Sequence, residues 1–199
     1  IYDVPHQRTT GYGASGVHPF GTGAWRAPAN NTNVFARESQ IDMMASKAGI
    51  DPIEFRLMNL KDPRMIAVLE ALKEKTNWQP IKTPSGKGYG IACGFDAGTY
   101  VAHMAEVEVD KETGHVRVKK VVCAQEMGLC VNPQGTTIQM EGCINMGLGY
   151  ALTEDIEFTG GNIKTTNFDT YQIPTFSWIP EIETIILDRN EPPQGGGEP

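Results

Sequence analysis

The sequence has no Cys-x-x-Cys pair; its four cysteines fall at 93, 123, 130 and 143. That spacing excludes a zinc ribbon and a thioredoxin-type redox pair. Four cysteines in 199 residues are too few for a disulfide scaffold, and they read as buried thiols. The histidines (6, 18, 103 and 115) show no metal-ligand spacing such as His-Glu-x-x-His. No apolar run approaches the ~20 residues that span a bilayer. Basic charge is in deficit, with 17 Lys and Arg against 24 Asp and Glu and a net charge of -7. This argues against nucleic-acid binding through phosphate contacts. No basic segment leads into an apolar signal-like stretch, and there is no internal repeat.

What is present is ordinary for a globular chain: 40% hydrophobic and 21% charged residues, enough for one large or two small domains. Gly and Pro are somewhat abundant and gather at both ends. A chain that starts at Ile1 and stops at Gly-Gly-Gly-Glu-Pro is expected to be a fragment of something longer. Residues 1–33 have no sustained periodicity and read as irregular. A helix is expected from about Val34 to Ala48, with Val34, Ile41, Met44, Ala45 and Ala48 inward. Asn31, Thr32 or Asn33 would cap its start and Gly49 its end. Asp51-Pro52 and Asp62-Pro63 each open a further helix, with Asp as cap and Pro in the first turn. The third helix should bury Met65, Val68, Leu69 and Leu72 and be closed by Trp78.

After a loop over 79–88 the period falls to two. Val101 to Val109 reads as a strand and Val116 to Ala124 as its hairpin partner across Lys111-Glu112-Thr113-Gly114. Thr136 to Leu152 reads as a helix in spite of Gly142, Gly147 and Gly149, each costing ~1 kcal/mol against Ala. Those glycines point to close approach of a backbone or ligand, or to tight packing alone. A second hairpin is expected around Gly160-Gly161-Asn162, and a last strand over Glu181 to Leu187.

Several motifs carry chemistry. Gly11-Tyr12-Gly13-Ala14-Ser15-Gly16 matches Gly-x-Gly-x-x-Gly in letters, but no strand precedes it and Pro19 forbids the helix after it, so it is not a dinucleotide site. His103 lies on a strand, either in the core or lining a site. Arg26, within Gly21 to Asn30, is either a guanidinium offered to a phosphate or oxo group or a brace for loop carbonyls. Gln139 is either a ligand-facing amide or an exposed helix residue. Gly195-Gly196-Gly197-Glu198 is either a flexible tail or a tight loop presenting one carboxylate as a general base.

Taken in order, these pieces have a family likeness. Trp25-Arg26-Ala27-Pro28 precedes the helix with Phe35-Ala36-Arg37-Glu38-Ser39. Gly49-Ile50-Asp51-Pro52-Ile53-Glu54-Phe55-Arg56 follows, then Gly98-Thr99-Tyr100-Val101-Ala102-His103. Val131-Asn132-Pro133, Gln139-Met140-Glu141-Gly142, Met146-Gly147-Leu148-Gly149 and Gly197-Glu198-Pro199 complete the series. The order resembles the molybdenum-binding subunit of the xanthine dehydrogenase and aldehyde oxidase family, nearest to the large subunits of bacterial isoquinoline 1-oxidoreductase type, over about Gly21 to Pro199. The resemblance implies that Arg26 lies at the molybdenum cofactor, that Gln139 approaches the pterin, and that Gly195, Gly196 and Gly197 hold Glu198, the general base beside molybdenum. It further implies hydroxylation of an N-heterocycle or aldehyde with oxygen from water. The cofactor would be a molybdenum-molybdopterin, in its cytosine dinucleotide form, with iron–sulfur clusters on a small partner subunit.

The family's Gly-Gln-Gly cofactor loop is missing from these residues, so the remainder of the large subunit is an expected partner and the isolated chain is expected to be inactive. The expected fold is α+β, a two-layer mixed sheet with helices on one face. Residues 1–80 would form a helical part and residues 81–199 a β-rich part of the cofactor-binding region. The rival is a non-catalytic scaffold or assembly module that keeps the fold without the cofactor.

Overall fold

The first helix starts without the side-chain cap its sequence offers. In the computed structural model, which describes residues 1–13, 16, 23–79 and 86–197, α1 spans Asn30–Ala48. It begins four residues before the expected Val34. Ala29 stands at the cap position and makes no capping bond, so Asn31, Thr32 and Asn33 are inside the helix. The inward face also differs from expectation. Ile41 and Ala45 are buried, whereas Met44 and Ala48 are exposed. The buried position one turn before Ile41 belongs to Glu38, because a charged partner waits for it across the interface.

Helices α2 (Pro52–Asn59) and α3 (Pro63–Thr76) follow the expected chemistry. The Asp51 carboxylate accepts from the N–H groups of Ile53 and Glu54, and that of Asp62 from Arg64. Each satisfies donors that a helix start leaves free. Met65, Val68, Leu69 and Leu72 are fully buried on one side of α3. Trp78 closes over this end, its indole N–H donating to Asp51 Oδ2 at 2.8 Å.

Strand β1 (Lys87–Asp96) is absent from the sequence expectation. Its three glycines (Gly88, Gly90 and Gly94) hide the alternation that identifies a strand. It pairs antiparallel with β2 (Thr99–Val109), and β2 pairs antiparallel with β3 (Val116–Glu126). The final strand, β6 (Glu181–Leu187), lies parallel to β3 and completes a mixed sheet in the order β1-β2-β3-β6. A parallel neighbour requires a crossover. Helix α4 (Pro133–Leu152) and residues 153–180 supply it, including the small hairpin of β4 (Phe158–Thr159) and β5 (Asn162–Ile163).

The two faces of the sheet bury different clusters. Ile91, Cys93, Ala102, Met104, Val122 and Ala124 meet α2 and α3. Val118, Val121 and Cys123, from the alternate positions, meet Met140 and Ile144 of α4. The α+β class and mixed sheet stand as expected, but helices cover both faces, since α4 must cross the sheet to set β6 beside β3. No helix among the described residues is long and apolar enough to cross a membrane.

Candidate functional site

Three segments that are distant in sequence converge at the end of the sheet where β3 and β6 terminate. The chain leaving β6 runs back over the chain leaving β3. Leu129 N–H donates to Glu191 O at 2.9 Å, Gln194 N–H to Met127 O at 2.8 Å, and Cys130 N–H to Asp188 Oδ1 at 2.9 Å. Gly128 has φ 74°, and a Cβ there would enter the Pro192 carbonyl. Only glycine permits that approach. The hydroxyl of fully buried Thr99 donates to the Gly195 carbonyl at 2.5 Å. Gly195 and Gly196 are thus held in a built loop, not a free tail.

Gly197 is the meeting point. It is buried, has φ 99°, and a Cβ there would collide with the side chain of Gln139. The same residue lines a cleft of about 370 Å³ together with Arg26. The expected site residues Arg26, Gln139 and Gly197 are therefore neighbours in space, with Gly195 and Gly196 leading into them. Glu198 and Pro199 lie outside the described residues.

One face of α4 organises the cleft. Gln139, Cys143, Met146 and Tyr150 recur at helical spacing, so they share a stripe. Arg26 Nη1 donates to Met146 Sδ at 3.1 Å, and Cys143, Gly147 and Tyr150 line the cleft itself. The glycines of α4 separate into different roles. Gly147 opens the cleft wall, and Gly149 admits the ring of Pro174 and the Glu154 carboxylate. Gly142 has open space around its Cβ position.

The approach of Arg26 is set by backbone and by α1. Ala27 is buried and takes φ 63°, a left-handed conformation that turns the chain between Arg26 and Pro28. The Asn30 amide donates to Phe95 O at 3.1 Å, and Arg37 Nη2 to Cys93 O at 2.9 Å. Glu38 then locks the helix to its neighbours. It accepts from Tyr2 Oη (2.9 Å), Arg37 Nε (2.9 Å), Arg56 Nε (3.0 Å) and Cys93 N–H (3.0 Å). Arg56 is fully buried and also reaches Asp42, Pro52 O and Ile91 O. A second pair, half-exposed Arg64 with fully buried Glu126, braces the other side. Arg64 donates to Gly98 O and lies over the Tyr100 ring, while Glu126 accepts from Gly128 N–H at 2.6 Å. Reading by motif missed both pairs, although the charged Glu38 at a core-facing position of α1 was a visible signal.

Among the described residues, the cleft carries one cation, Arg26, and several neutral polar groups. Burial pushes the Cys143 thiol and the Tyr150 phenol upward, with Arg26 opposing both. Burial alone lowers His103, to about 4, so its imidazole is neutral near pH 7. Arg26 has no carboxylate partner, and Gln139 no hydrogen-bond partner, among the described residues. Spare guanidinium and amide donors beside a glycine wall suit a flat polar ligand. No cluster of three His, Cys, Asp or Glu among the described residues is placed to hold a bare metal ion. The spare donors of Arg26 and Gln139 fit the polar edge of a pterin.

Comparison with known proteins agrees. A family model for a molybdopterin cofactor-binding domain matches residues 27–180. One of the chains of nicotinate dehydrogenase from Pseudomonas putida is 35% identical over 99% of this chain, which covers 18% of that protein. The beta chain of isoquinoline 1-oxidoreductase from Brevundimonas diminuta is 29% identical over 82% of this chain, covering 21% of that protein. The chain thus spans about a fifth of the length of these curated relatives. The aldehyde oxidoreductase of Desulfovibrio gigas matches in fold, with a TM-score of 0.77 over 88% of this chain and 37% of that one, at 16% identity. With its glycine loop, its stripe on α4 and a family match over most of its length, the chain belongs to the molybdopterin cofactor-binding domain family.

Proposed function

We propose that the chain forms part of the catalytic subunit of a molybdenum hydroxylase that oxidises an N-heterocycle or an aldehyde with oxygen from water. The observation that carries this reading is Gly197, which touches Gln139 and lines the Arg26 cleft at once. The names of the relatives, nicotinate dehydrogenase and isoquinoline 1-oxidoreductase, favour the heterocycle.

The residues divide the work. Arg26 offers fixed donors to the cofactor, and the Gln139 amide donates and accepts along the pterin edge. Gly195, Gly196 and Gly197 bring a backbone within reach of both. Glu198, the next residue, is the general base, taking a proton at its carboxylate as the substrate carbon is oxidised. A base of this kind needs a pKa raised toward the working pH, which apolar surroundings supply. When bound, molybdopterin supplies the metal centre for the oxygen transfer and the two-electron redox step. The electrons would leave through iron–sulfur clusters on a small partner subunit. The cofactor is proposed in its cytosine dinucleotide form. Residues 1–80 and 81–199 would act together as one cofactor-binding region, completed by the remainder of the large subunit.

The test is molybdenum and pterin analysis of the full-length large subunit with its iron–sulfur partner, expressed in a host that makes the cofactor, with Glu198→Gln beside it. About one molybdenum per chain, with oxidation of nicotinate or isoquinoline lost in the variant, is the expected result. A folded product without molybdenum supports the scaffold reading instead and reduces Glu198 to a loop residue.

A further inference from the structure

His103 has no role in the site as described so far. It sits on β2, opposite Ala92 of β1 and Cys123 of β3. That register places it on the α4 face of the sheet, where Val101, Ala105 and Val121 share the floor of the Arg26 cleft. Its neighbours on the floor are apolar. No hydrogen bond, ion pair or ring contact engages its imidazole among the described residues. The imidazole is half-buried and faces the cleft unengaged, so its nitrogens are available to a partner that enters from outside. The mouth of the cleft adds two aromatic rings. Phe35 of α1 is 74% exposed and Tyr150 of α4 is 41% exposed. Exposed rings beside an open, largely apolar cleft offer faces on which a flat ring can stack. At about 370 Å³ the cleft lies within the range of small-molecule sites, roughly 300–1,000 Å³.

We infer that His103 is a binding residue of this cleft, exchanging a hydrogen bond with a planar nitrogen heterocycle that stacks between Phe35 and Tyr150. The inference rests on the cofactor reading above and assigns a residue that the reading leaves idle. A neutral imidazole has one donor and one acceptor nitrogen, which matches the alternating donors and acceptors of a heteroaromatic edge. Two ligands share that chemistry: the pterin ring of the cofactor and an N-heteroaromatic substrate.

The experiment compares wild type with His103→Leu and His103→Gln, in the full-length large subunit purified from a cofactor-making host. Two quantities are read: pterin per chain, and the equilibrium Kd for nicotinate and for isoquinoline. His103 has no protein partner among the described residues, so His103→Leu keeps the fold, checked by its thermal midpoint. If the ligand is pterin, His103→Leu loses at least half of its pterin. If it is the substrate, pterin content stays and Kd rises about tenfold. In both cases His103→Gln, which keeps a donor and an acceptor, recovers part of the loss. Unchanged pterin and unchanged Kd in a folded His103→Leu protein overturn the inference. A loss in His103→Leu that His103→Gln does not relieve overturns it too, since packing alone then explains the effect. Absence of pterin from wild type is a separate failure, that of the cofactor reading; the His103 assignment then stands or falls on the Kd comparison.

Discussion

The two faces of the sheet are built on different terms. On the α2/α3 face Ile53, Met65, Val68, Leu69 and Leu72 are sealed completely. The charges beneath α1 and α3 are matched there as well: Glu38 with Arg56, and Glu126 with Arg64. On the α4 face the burial is thinner. Met140 and Ile144 reach the sheet, but Met146, Tyr150 and Leu152 remain exposed, and Arg26, Gln139 and His103 have no carboxylate or amide to answer them among the described residues. One face saturates its polar groups within the protein; the other leaves donors facing a cleft. A saturated face stabilises, and an unsaturated one is ready to bind.

That contrast can be broken by substitutions of opposite kind. Arg56→Ala should have the largest effect on stability. It leaves Glu38 buried without its main partner, a loss of about 3–5 kcal/mol by the usual cost of halving a buried pair. Denaturant unfolding measures it, and Glu38→Gln combined with Arg56→Met should recover much of the loss. If the double variant is no better than the single, the pair is not what holds α1 to α2. Leu69→Ala follows, at about 2–5 kcal/mol for a sealed leucine. The protein that still folds should keep its cofactor content, because that face takes no part in binding.

Gly197→Ala reverses the pattern. A left-handed φ costs a non-glycine residue roughly 1–2 kcal/mol, so unfolding shifts modestly. The added methyl enters the Gln139 side chain, and cofactor content should fall severely. Equal proportional losses in stability and in cofactor would show that Gly197 serves the fold alone.

The pH response of the α4 face should be set in part by His103. Burial holds its pKa at about 4 in the folded protein, below the unfolded value of about 6.5. The unfolded chain therefore takes up the proton first as the medium is acidified. Stability drawn from the neutral imidazole is complete above about pH 6.5 and is lost progressively down to about pH 4. The difference between wild type and His103→Leu, from unfolding curves across this window, should grow in favour of Leu as pH falls. Ala27→Gly is the smallest change. It releases the left-handed strain at φ 63° and should raise stability by no more than about 1 kcal/mol, while the freer backbone loosens the aim of Arg26 and weakens cofactor retention slightly.

Much of the fold was legible. The Asp-Pro starts of α2 and α3, the four inward residues of α3 and the bounds of β6 all follow from local chemistry and period. β1 was not, because glycines at 88, 90 and 94 erase the alternation of side chains. The early start of α1 was not, because Ala29 makes no side-chain capping bond and Asn30 is held by its N–H to Ala27 O and its side chain to Phe95 O. In the site, Arg26, Gln139 and the glycine loop were legible as a likeness of ordered motifs. Their physical readings taken one at a time left each of them open to a bland alternative.

Composition, capping and periodicity by themselves determined where α2, α3, α4 and most strands would form, since those depend on contacts a few residues apart. Only the tertiary structure decided that α4 crosses the sheet to set β6 parallel to β3. Only that crossing brings residues 26, 139 and 197 together. The pairing of Glu38 with Arg56, the register that turns His103 toward the cleft and the collision that forbids a side chain at Gly197 have the same origin. Each depends on atoms far apart in sequence, whose approach is set by packing and not by any local preference.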